Sequence, residues 1–455
     1  MTRLVIVSNR VSKPRETRAG GLASALNSAL NEHGGLWFGW SGNVVSDVPA
    51  GVSRERIGEI DYALTDLSES EYSTYYQGFS NRTLWPLLHY RPDLLDFRRE
   101  NLSGYRAVNR RFAELLAPQL RSDDTIWVHD YHLIPLGQEL RALGIKARIG
   151  FFLHVPFPSP EVLMMLPGHR PLLKTLCAYD LVGTQTDSDQ RALCEYSGRE
   201  WGATCDDSGM VSLSDGHRFR CMAFPISIDP GLISRNADLA RTSKAHRSLV
   251  DSLSGRELAI SVDRLDYSKG LPERFEAFAH FLDSYPQHRG QLSMMQIAPV
   301  TRGDVPEYQE LRARLEQLAG AINGRYAEPD WMPIRYINRS FHQANLAGFY
   351  RSARVGLVTP LRDGMNLVAK EYVAAQSAED PGVLVLSRFA GAARELTDAL
   401  LVNPYDADDT SNAIHAALEM PIEERRRRWQ AMSAHLRQHT IVDWRESFLD
   451  VLLDS

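Results

Sequence analysis

Along the first half of the chain, short runs of consecutive apolar residues alternate with stretches whose apolar positions recur every three or four residues. Residues 4–8 (LVIVS), 36–40 (LWFGW), 125–129 (TIWVH) and 149–153 (IGFFL) are runs of the first kind, and 181–183 and 220–224 add two more. The second kind covers 22–30, 104–120, 133–143 and 187–197. A strand that is apolar throughout is buried on both faces. Such strands alternating with amphipathic helices predict a parallel sheet covered by helices on each side.

The segment FPISIDP at 224–230, extended and holding two prolines, interrupts this pattern and predicts a boundary. The alternation then restarts. Strands are predicted at 258–262, 293–298, 334–337, 355–358 and 382–387, and helices at 271–282, 305–318, 343–351, 366–375 and 407–418. A last amphipathic stretch, 444–453, has no strand after it and is free to pack elsewhere. The expected architecture is two consecutive α/β domains with a crevice between them.

A chain of 455 residues exceeds one ordinary core, which agrees with two domains. With 44% hydrophobic and 24% charged residues it has the composition of a soluble globular protein, and a net charge of −6 argues against a nucleic-acid binder. No apolar run approaches membrane-spanning length and no leader precedes the first strand, so the expected location is cytoplasmic. The four cysteines (Cys177, Cys194, Cys205 and Cys221) form no CxxC pair. They are expected to be unpaired thiols of a reducing compartment, not a disulfide or zinc framework. Only six residues are lysine, against 45 arginines, which draws attention to Lys269 and Lys370 inside suspected motifs.

In open parallel sheets ligands bind beyond the carboxyl ends of the strands, and polar clusters collect at those positions here. Arg10 follows the first strand, and Gly20-Gly21 opens the next helix, where a backbone could approach a diphosphate closely. No GxGxxG occurs, which weakens a dinucleotide reading. Asp130 and His154 end two further strands. His129 and His132 lack a third ligand of suitable spacing, so a metal pair there is not favoured. In the second half, Arg264 and Lys269 follow a strand and could offset the charge of a departing diphosphate; Arg302 repeats that layout. TPLRDGMNLVAKEY at 359–372 joins a strand to a helix through a glycine turn, with Asn366 as N-cap and Glu371 placed for ribose hydroxyls. Taken singly, each cluster also reads as a plain turn or a surface ion pair.

Together they carry a resemblance. SNR ending at Arg10, AGG at 19–21, GLWFGWSG at 35–42, WVHDYHL at 127–133, FFLHVPFPSPE at 151–161, RLDYSKGLPERF at 264–275, QIAPVTRGD at 296–304 and the 359–372 stretch closely resemble the bacterial trehalose-6-phosphate synthase family. The resemblance covers essentially the whole chain. It implies an α/β GT-B architecture of two Rossmann-like parallel-sheet domains with an inter-domain active-site cleft. The acceptor domain would be 1–225, joined by the C-terminal helix 443–455, and the nucleotide-sugar domain 226–442.

The implied reaction is glucosyl transfer from UDP-glucose to glucose 6-phosphate with retention at the donor carbon. The resemblance places Arg10, Tyr76, Trp85, Asp130 and Arg302 at glucose 6-phosphate. It places Gly20, Gly21, His154, Arg264, Lys269, Phe341, Asp363, Gly364, Met365, Asn366, Leu367 and Glu371 at UDP-glucose. Asp130, His154, Arg264 and Lys269 are the residues expected to act in the reaction. No cofactor or metal is expected, UDP-glucose being a substrate, and Lys370 is given no role beyond surface charge. A homo-oligomer and a separate phosphatase acting downstream complete the expectation, with no nucleic acid or membrane partner. Two alternatives stand beside it: a relative that glucosylates glycerol 3-phosphate, and a non-catalytic sugar-phosphate sensor.

Overall fold

The structure of the protein is a computed structural model that describes residues 3–13, 26, 30, 34–47, 51–301 and 305–454. Gly20, Gly21, Arg302 and most of the predicted helix 22–30 lie outside these residues. The chain divides into two compact units, Met1–Ile226 with Val442–Ser455, and Ser227–Ile441.

Among the described residues the first unit has ten strands: β1 (Leu4–Arg10), β2 (Gly35–Val45), β3 (Ser53–Ile57), β4 (Ile60–Ser68), β5 (Thr125–His129), β6 (Arg148–Phe152), β7 (Leu181–Thr184), β8 (Thr204–Cys205), β9 (Met210–Ser212) and β10 (Arg218–Ala223). They lie in the order β3-β4-β2-β1-β5-β6-β7-β10-β9-β8. β4, β2, β1, β5, β6, β7 and β10 pair in parallel, while β3, β9 and β8 add antiparallel edges. All five residues of β5 are buried, as a strand covered on both faces requires. The order reverses between β1 and β5, so their polar ends, Arg10 and Asp130, flank the switch point.

β3 and β4 were not predicted. β3 is an exposed edge hairpin strand, SRERI, so it carries no apolar run to read. Also unpredicted is the π-helical stretch Tyr72–Leu84, entered through a capping box between Ser68 and Glu71.

The C-terminal helix Ile441–Asp454 covers one face of this first sheet. The Phe448 ring stacks on Trp127 at 4.7 Å and 14°, and Trp444 lies 5.0 Å from the same indole. Gly150 in β6 and Gly183 in β7 make the space, since a Cβ on either would stand 2.8 or 2.7 Å from the Phe448 ring. The helix thus serves as a cover for strands already formed.

Among the described residues the second unit has six parallel strands: β11 (Glu257–Val262), β12 (Leu292–Ile297), β13 (Ile334–Ile337), β14 (Val355–Val358), β15 (Val383–Ser387) and β16 (Leu400–Val402). Their order β13-β12-β11-β14-β15-β16 is the 3-2-1-4-5-6 arrangement of a Rossmann sheet, with its switch point between β11 and β14. The helices Pro230–Ala240, Lys244–Leu253 and Ile422–Gln438 were not predicted; in the last, a block of arginines masks the apolar spacing.

One expectation about the cysteines is overturned. Cys194, on the helix Asp187–Trp201, and Cys205, in β8, are joined as a disulfide with their Cα atoms 5.8 Å apart. The helix ends at Gly202 in the left-handed conformation, φ 65°, which folds the chain back so that β8 passes the helix it has just left. A separation of 11 residues matches no motif, which is why the sequence does not announce the pair. Cys177 and Cys221 are buried free thiols, and burial pushes the Cys177 thiol up to about 12.

Candidate active site

In the first unit, β1 delivers Arg10 to the sheet edge. Its guanidinium stands over the Trp40 ring, 5.5 Å from the centroid. Gly42 makes this possible: its φ is +96°, and a Cβ there would collide with the guanidinium. Trp40 packs against Tyr76 at 5.4 Å, and Tyr76 stacks on His132 at 6.0 Å and 13°. The π-helical segment thus carries Tyr76 to the same aromatic wall that holds Arg10. Trp85 is 4% exposed and packs 5.6 Å from Tyr131, the residue after Asp130.

Asp130 sits in a conformation that side chains rarely adopt, φ 76° and ψ 165°. Holding a non-glycine residue there costs about 1–3 kcal/mol. Two bonds to the β6 end secure it: its N–H donates to the Phe152 carbonyl at 2.8 Å, and its side-chain Oδ1 accepts from the His154 N–H at 3.2 Å. The turn after β5 is therefore tied to the turn after β6, and the carboxylate is aimed by both.

His154 has its own support. Its Nε2 lies 3.1 Å from Nδ1 of His129, which is fully buried. Burial drives both rings towards the neutral form, His154 down to about 3 and His129 well below the ordinary value. The Nε2 of His129 is buried and has no partner among the described residues. An orphaned buried N–H is the rarer and costlier arrangement. The proton of His129 is therefore assigned to Nδ1, donating to His154 Nε2. That bond fixes His154 as the tautomer with its hydrogen on Nδ1, a neutral donor. Sequence reading assigned nothing to His129.

In the second unit the loops after β11 and β14 meet at the switch point. Lys269 Nζ and Asp363 Oδ2 form an ion pair that is almost wholly buried. Asn366 donates from Nδ2 to the same Asp363 oxygen at 3.0 Å and caps the helix Leu367–Ala375, its Oδ1 accepting from Ala369 N–H at 3.3 Å. Leu361 N–H donates to the Ser268 carbonyl at 2.8 Å. On the far side, Gly391 lies against Gly364 so closely that a Cβ would collide with the Gly364 carbonyl, and Ala392 N–H donates to Met365 O at 2.8 Å. The turn Asp363–Asn366 is thus pinned from two directions, with the N–H groups of a helix start behind it. Such N–H groups have no intrahelical acceptors and favour anions.

Beneath this turn lies Arg274, 1% exposed, which sequence reading passed over within its own motif. It donates to Thr359 Oγ1, Asp263 Oδ2 and Gln296 Oε1, each at 2.9 Å, and to the Lys269 carbonyl at 3.0 Å. One guanidinium therefore joins three strand ends. Burial pushes the Asp263 carboxyl up while Arg274 pulls it down.

The remaining expected residues lie on the same loops. Arg264 is exposed, in contrast to Lys269 five residues on. Phe341 sits edge-on to Phe349 at 5.2 Å with the Arg339 guanidinium 4.8 Å from its centroid. Glu371, on the helix behind the turn, accepts from Gln343 Nε2 at 3.4 Å, and burial raises its carboxyl to about 7.

Lys370 is corrected. It is fully buried and forms an ion pair with Glu395 at 2.7 Å, and that carboxylate also meets His435 Nε2 at 3.1 Å. The helix Leu367–Ala375 is apolar on most of its surface, so it packs inside the unit and its lysine needs a buried partner. The pair ties the helix to the segment that backs Gly364.

Two Rossmann-like units, each with polar loops gathered at the switch point of its sheet, place the protein among the two-unit α/β folds that bind ligands at strand ends. The chain belongs to glycosyltransferase family 20, whose family model matches residues 3–454. It is 49% identical to the trehalose-6-phosphate synthase of Sinorhizobium fredii (strain NBRC 101917 / NGR234), over 100% of this chain and 99% of that protein. A crystal structure of an α,α-trehalose-phosphate synthase (UDP-forming) from Burkholderia xenovorans, in complex with glucose-6-phosphate, superposes with a TM-score of 0.96. That protein is 50% identical, with 99% of this chain and 100% of that one covered. An E. coli structure bound with UDP-2-fluoro glucose gives a TM-score of 0.94 at 46% identity, covering 99% of each chain.

Proposed function

We propose that this chain transfers glucose from UDP-glucose to the anomeric hydroxyl of glucose 6-phosphate, making trehalose 6-phosphate and UDP with retention at the donor carbon. The observation that carries the reading is the pinned turn Asp363–Asn366, with Lys269 paired to it and a helix amino terminus behind it. This is a rigid seat, with a fixed ammonium and the N–H groups of a helix start, of the kind a diphosphate leaving group requires. Membership of glycosyltransferase family 20 and near-50% identity over the whole chain support it.

On this reading the loops of the first unit take the acceptor. Arg10, Arg302 and Tyr76 face its phosphate, and Trp85 and Asp130 its sugar. The loops of the second unit take the nucleotide sugar, Arg264 and Lys269 at the diphosphate, Glu371 at the ribose and Phe341 beside the base. His154 serves as neutral donor to the transferred sugar. The bond from the donor carbon to the diphosphate breaks as the acceptor oxygen bonds on the same face, and the acceptor proton passes to the departing phosphate oxygen. The carboxylates have other duties: Asp363 holds Lys269 and Asn366, Glu371 is half-buried beside Gln343, and Asp130 receives the acceptor. A double displacement through an enzyme nucleophile is therefore not invoked.

Fixed cations and helix N–H groups carry the leaving-group charge, so the reaction is proposed to need no metal and to persist in EDTA. A cytoplasmic location, a homo-oligomer and a separate phosphatase that consumes the product are proposed with it. Among the described residues no helix is long and apolar enough to cross a membrane. The test is UDP release from UDP-glucose with glucose 6-phosphate or glycerol 3-phosphate as acceptor. Release with the first and not the second is expected. Release with glycerol 3-phosphate alone would transfer the reading to the alternative acceptor, and none with either would leave only the sensor.

A further inference from the structure

The helix Leu271–Ser284 starts at the carboxyl end of β11 and runs back along the sheet, so the turn Pro286–His288 after it lies at the opposite edge from the nucleotide loops. The helix Ala407–Glu419 follows β16 and runs back in the same sense, and the two helices pack together. Asp408, Asn412, His415 and Glu419, spaced four, three and four apart, form one stripe of the second helix. They meet the first helix and its turn rung by rung. His280 Nε2 meets Asp408 Oδ1 at 2.5 Å, and Tyr285 donates to Asn412 Oδ1 at 2.7 Å. Each of these rungs pairs a donor with an acceptor.

The third rung is also a hydrogen-bonded contact, but between two imidazoles with a carboxylate beside them. His288 Nε2 stands 3.0 Å from His415 Nδ1 and 3.6 Å from Glu419 Oε1, and the three ligand atoms all lie within 4.8 Å of one another. Ligands about 2.0–2.1 Å from a tetrahedral metal lie roughly 3.3–3.4 Å apart. The two measured separations bracket that value. Both rings are held in orientation by aromatic neighbours: Tyr285 stacks on His415 at 4.0 Å and 13°, and Phe281 on His288 at 5.3 Å and 21°. His288 is 8% exposed. His415 is half-buried and Glu419 exposed, so solvent reaches the rung and a water can fill a fourth position.

We propose that His288 Nε2, His415 Nδ1 and the Glu419 carboxylate form a site for one divalent transition-metal cation that clamps the turn Pro286–His288 to the carboxyl end of the helix Ala407–Glu419. Two imidazoles and one carboxylate are a zinc-type donor set; magnesium and calcium prefer all-oxygen sites. The clamp is structural and lies outside the nucleotide loops, so glucosyl transfer does not depend on it.

The test uses the full-length protein stripped with EDTA and desalted, then titrated with CoCl2. One equivalent is expected to give the intense visible absorption of a low-coordinate cobalt site. ZnCl2 should displace it and raise the Tm of the wild-type protein. Glu419→Gln, an isosteric change at an exposed position, should weaken cobalt binding at least about tenfold, and His415→Gln should abolish it. Turnover of both variants should match wild type, which also reports that they are folded. Absence of a saturable one-equivalent signal in wild type would overturn the proposal. So would an undiminished signal in both variants, because the metal would then sit on other histidines.

Discussion

Nδ1 of His129 stands 3.1 Å from Nε2 of His154, and among the described residues no partner reaches the far nitrogen of the buried ring. His129 is thus a positioning residue, and its function is to decide which nitrogen of His154 carries the hydrogen. His129→Phe keeps the buried ring and removes the bond. The variant should stay folded while kcat/KM for UDP-glucose falls roughly 10- to 100-fold, the equivalent of about 1.5–3 kcal/mol. KM for glucose 6-phosphate should change little. Steady-state kinetics with each substrate varied in turn checks this; an unchanged kcat/KM for the donor would remove the role.

The same pair sets an acid limit on stability. Both rings stay neutral in the folded protein, whereas a histidine in the unfolded chain titrates near 6.5. The unfolded state therefore takes up protons first as pH falls. Stability is full above about 6.5 and declines towards pH 3, by at most about 1.4 kcal/mol per pH unit for each histidine. Urea midpoints at pH 7, 6 and 5 measure the slope. His129→Phe should flatten it by removing one titrating group, and an equal slope in the two proteins would contradict the assignment.

Glu371 predicts the opposite kind of linkage, on binding. With its carboxyl raised to about 7, a large share is protonated at neutral pH. Ribose hydroxyls donate to the ionised form, so UDP binding should release up to about half a proton at pH 7. Calorimetry in two buffers of different ionisation enthalpy reads the number directly. Glu371→Gln should bind without buffer dependence. A wild-type enthalpy that does not vary with buffer would count against the ribose role.

Gly42 guards Arg10. Gly42→Ala places a methyl where the guanidinium now lies and strains a φ of +96°. KM for glucose 6-phosphate should rise on the order of tenfold, while KM for UDP-glucose holds; loss of a charged hydrogen bond is worth about 1.5–3 kcal/mol. A rise in both constants together would point to general damage instead.

Lys370→Met should be mainly a stability variant. It leaves the buried Glu395 carboxylate without its lysine, and breaking a buried pair from one side costs about 3–5 kcal/mol. Tm should fall clearly, and Lys370→Met with Glu395→Gln should recover part of the loss. If the double variant were less stable than the single, the pair would not be the source.

The parts legible in the sequence are those where burial and pattern coincide. β5 and β14 run as predicted because strands covered on both faces are continuous apolar runs. The cap at Asn366 was legible too, since a polar residue before an apolar helix has few other uses. What escaped has a common cause. Arg274, Lys370 and His129 are polar residues whose meaning depends on a partner 11 to 85, 25 and 25 positions away, and no local pattern encodes that partner. β3, an exposed edge, and the π-helical Tyr72–Leu84 escaped because neither follows the ordinary periods of two or 3.6. The pairing of Cys194 with Cys205 escaped because only the reversal at Gly202 brings them together.

Proton NMR of a reaction containing the protein, UDP-glucose and glucose 6-phosphate tests the central claim most directly. The account predicts an α,α-1,1-linked disaccharide phosphate accumulating one-for-one with UDP, and neither product with Lys269→Ala at the same enzyme concentration. UDP appearing without the disaccharide, or a β linkage at the donor carbon, would contradict it.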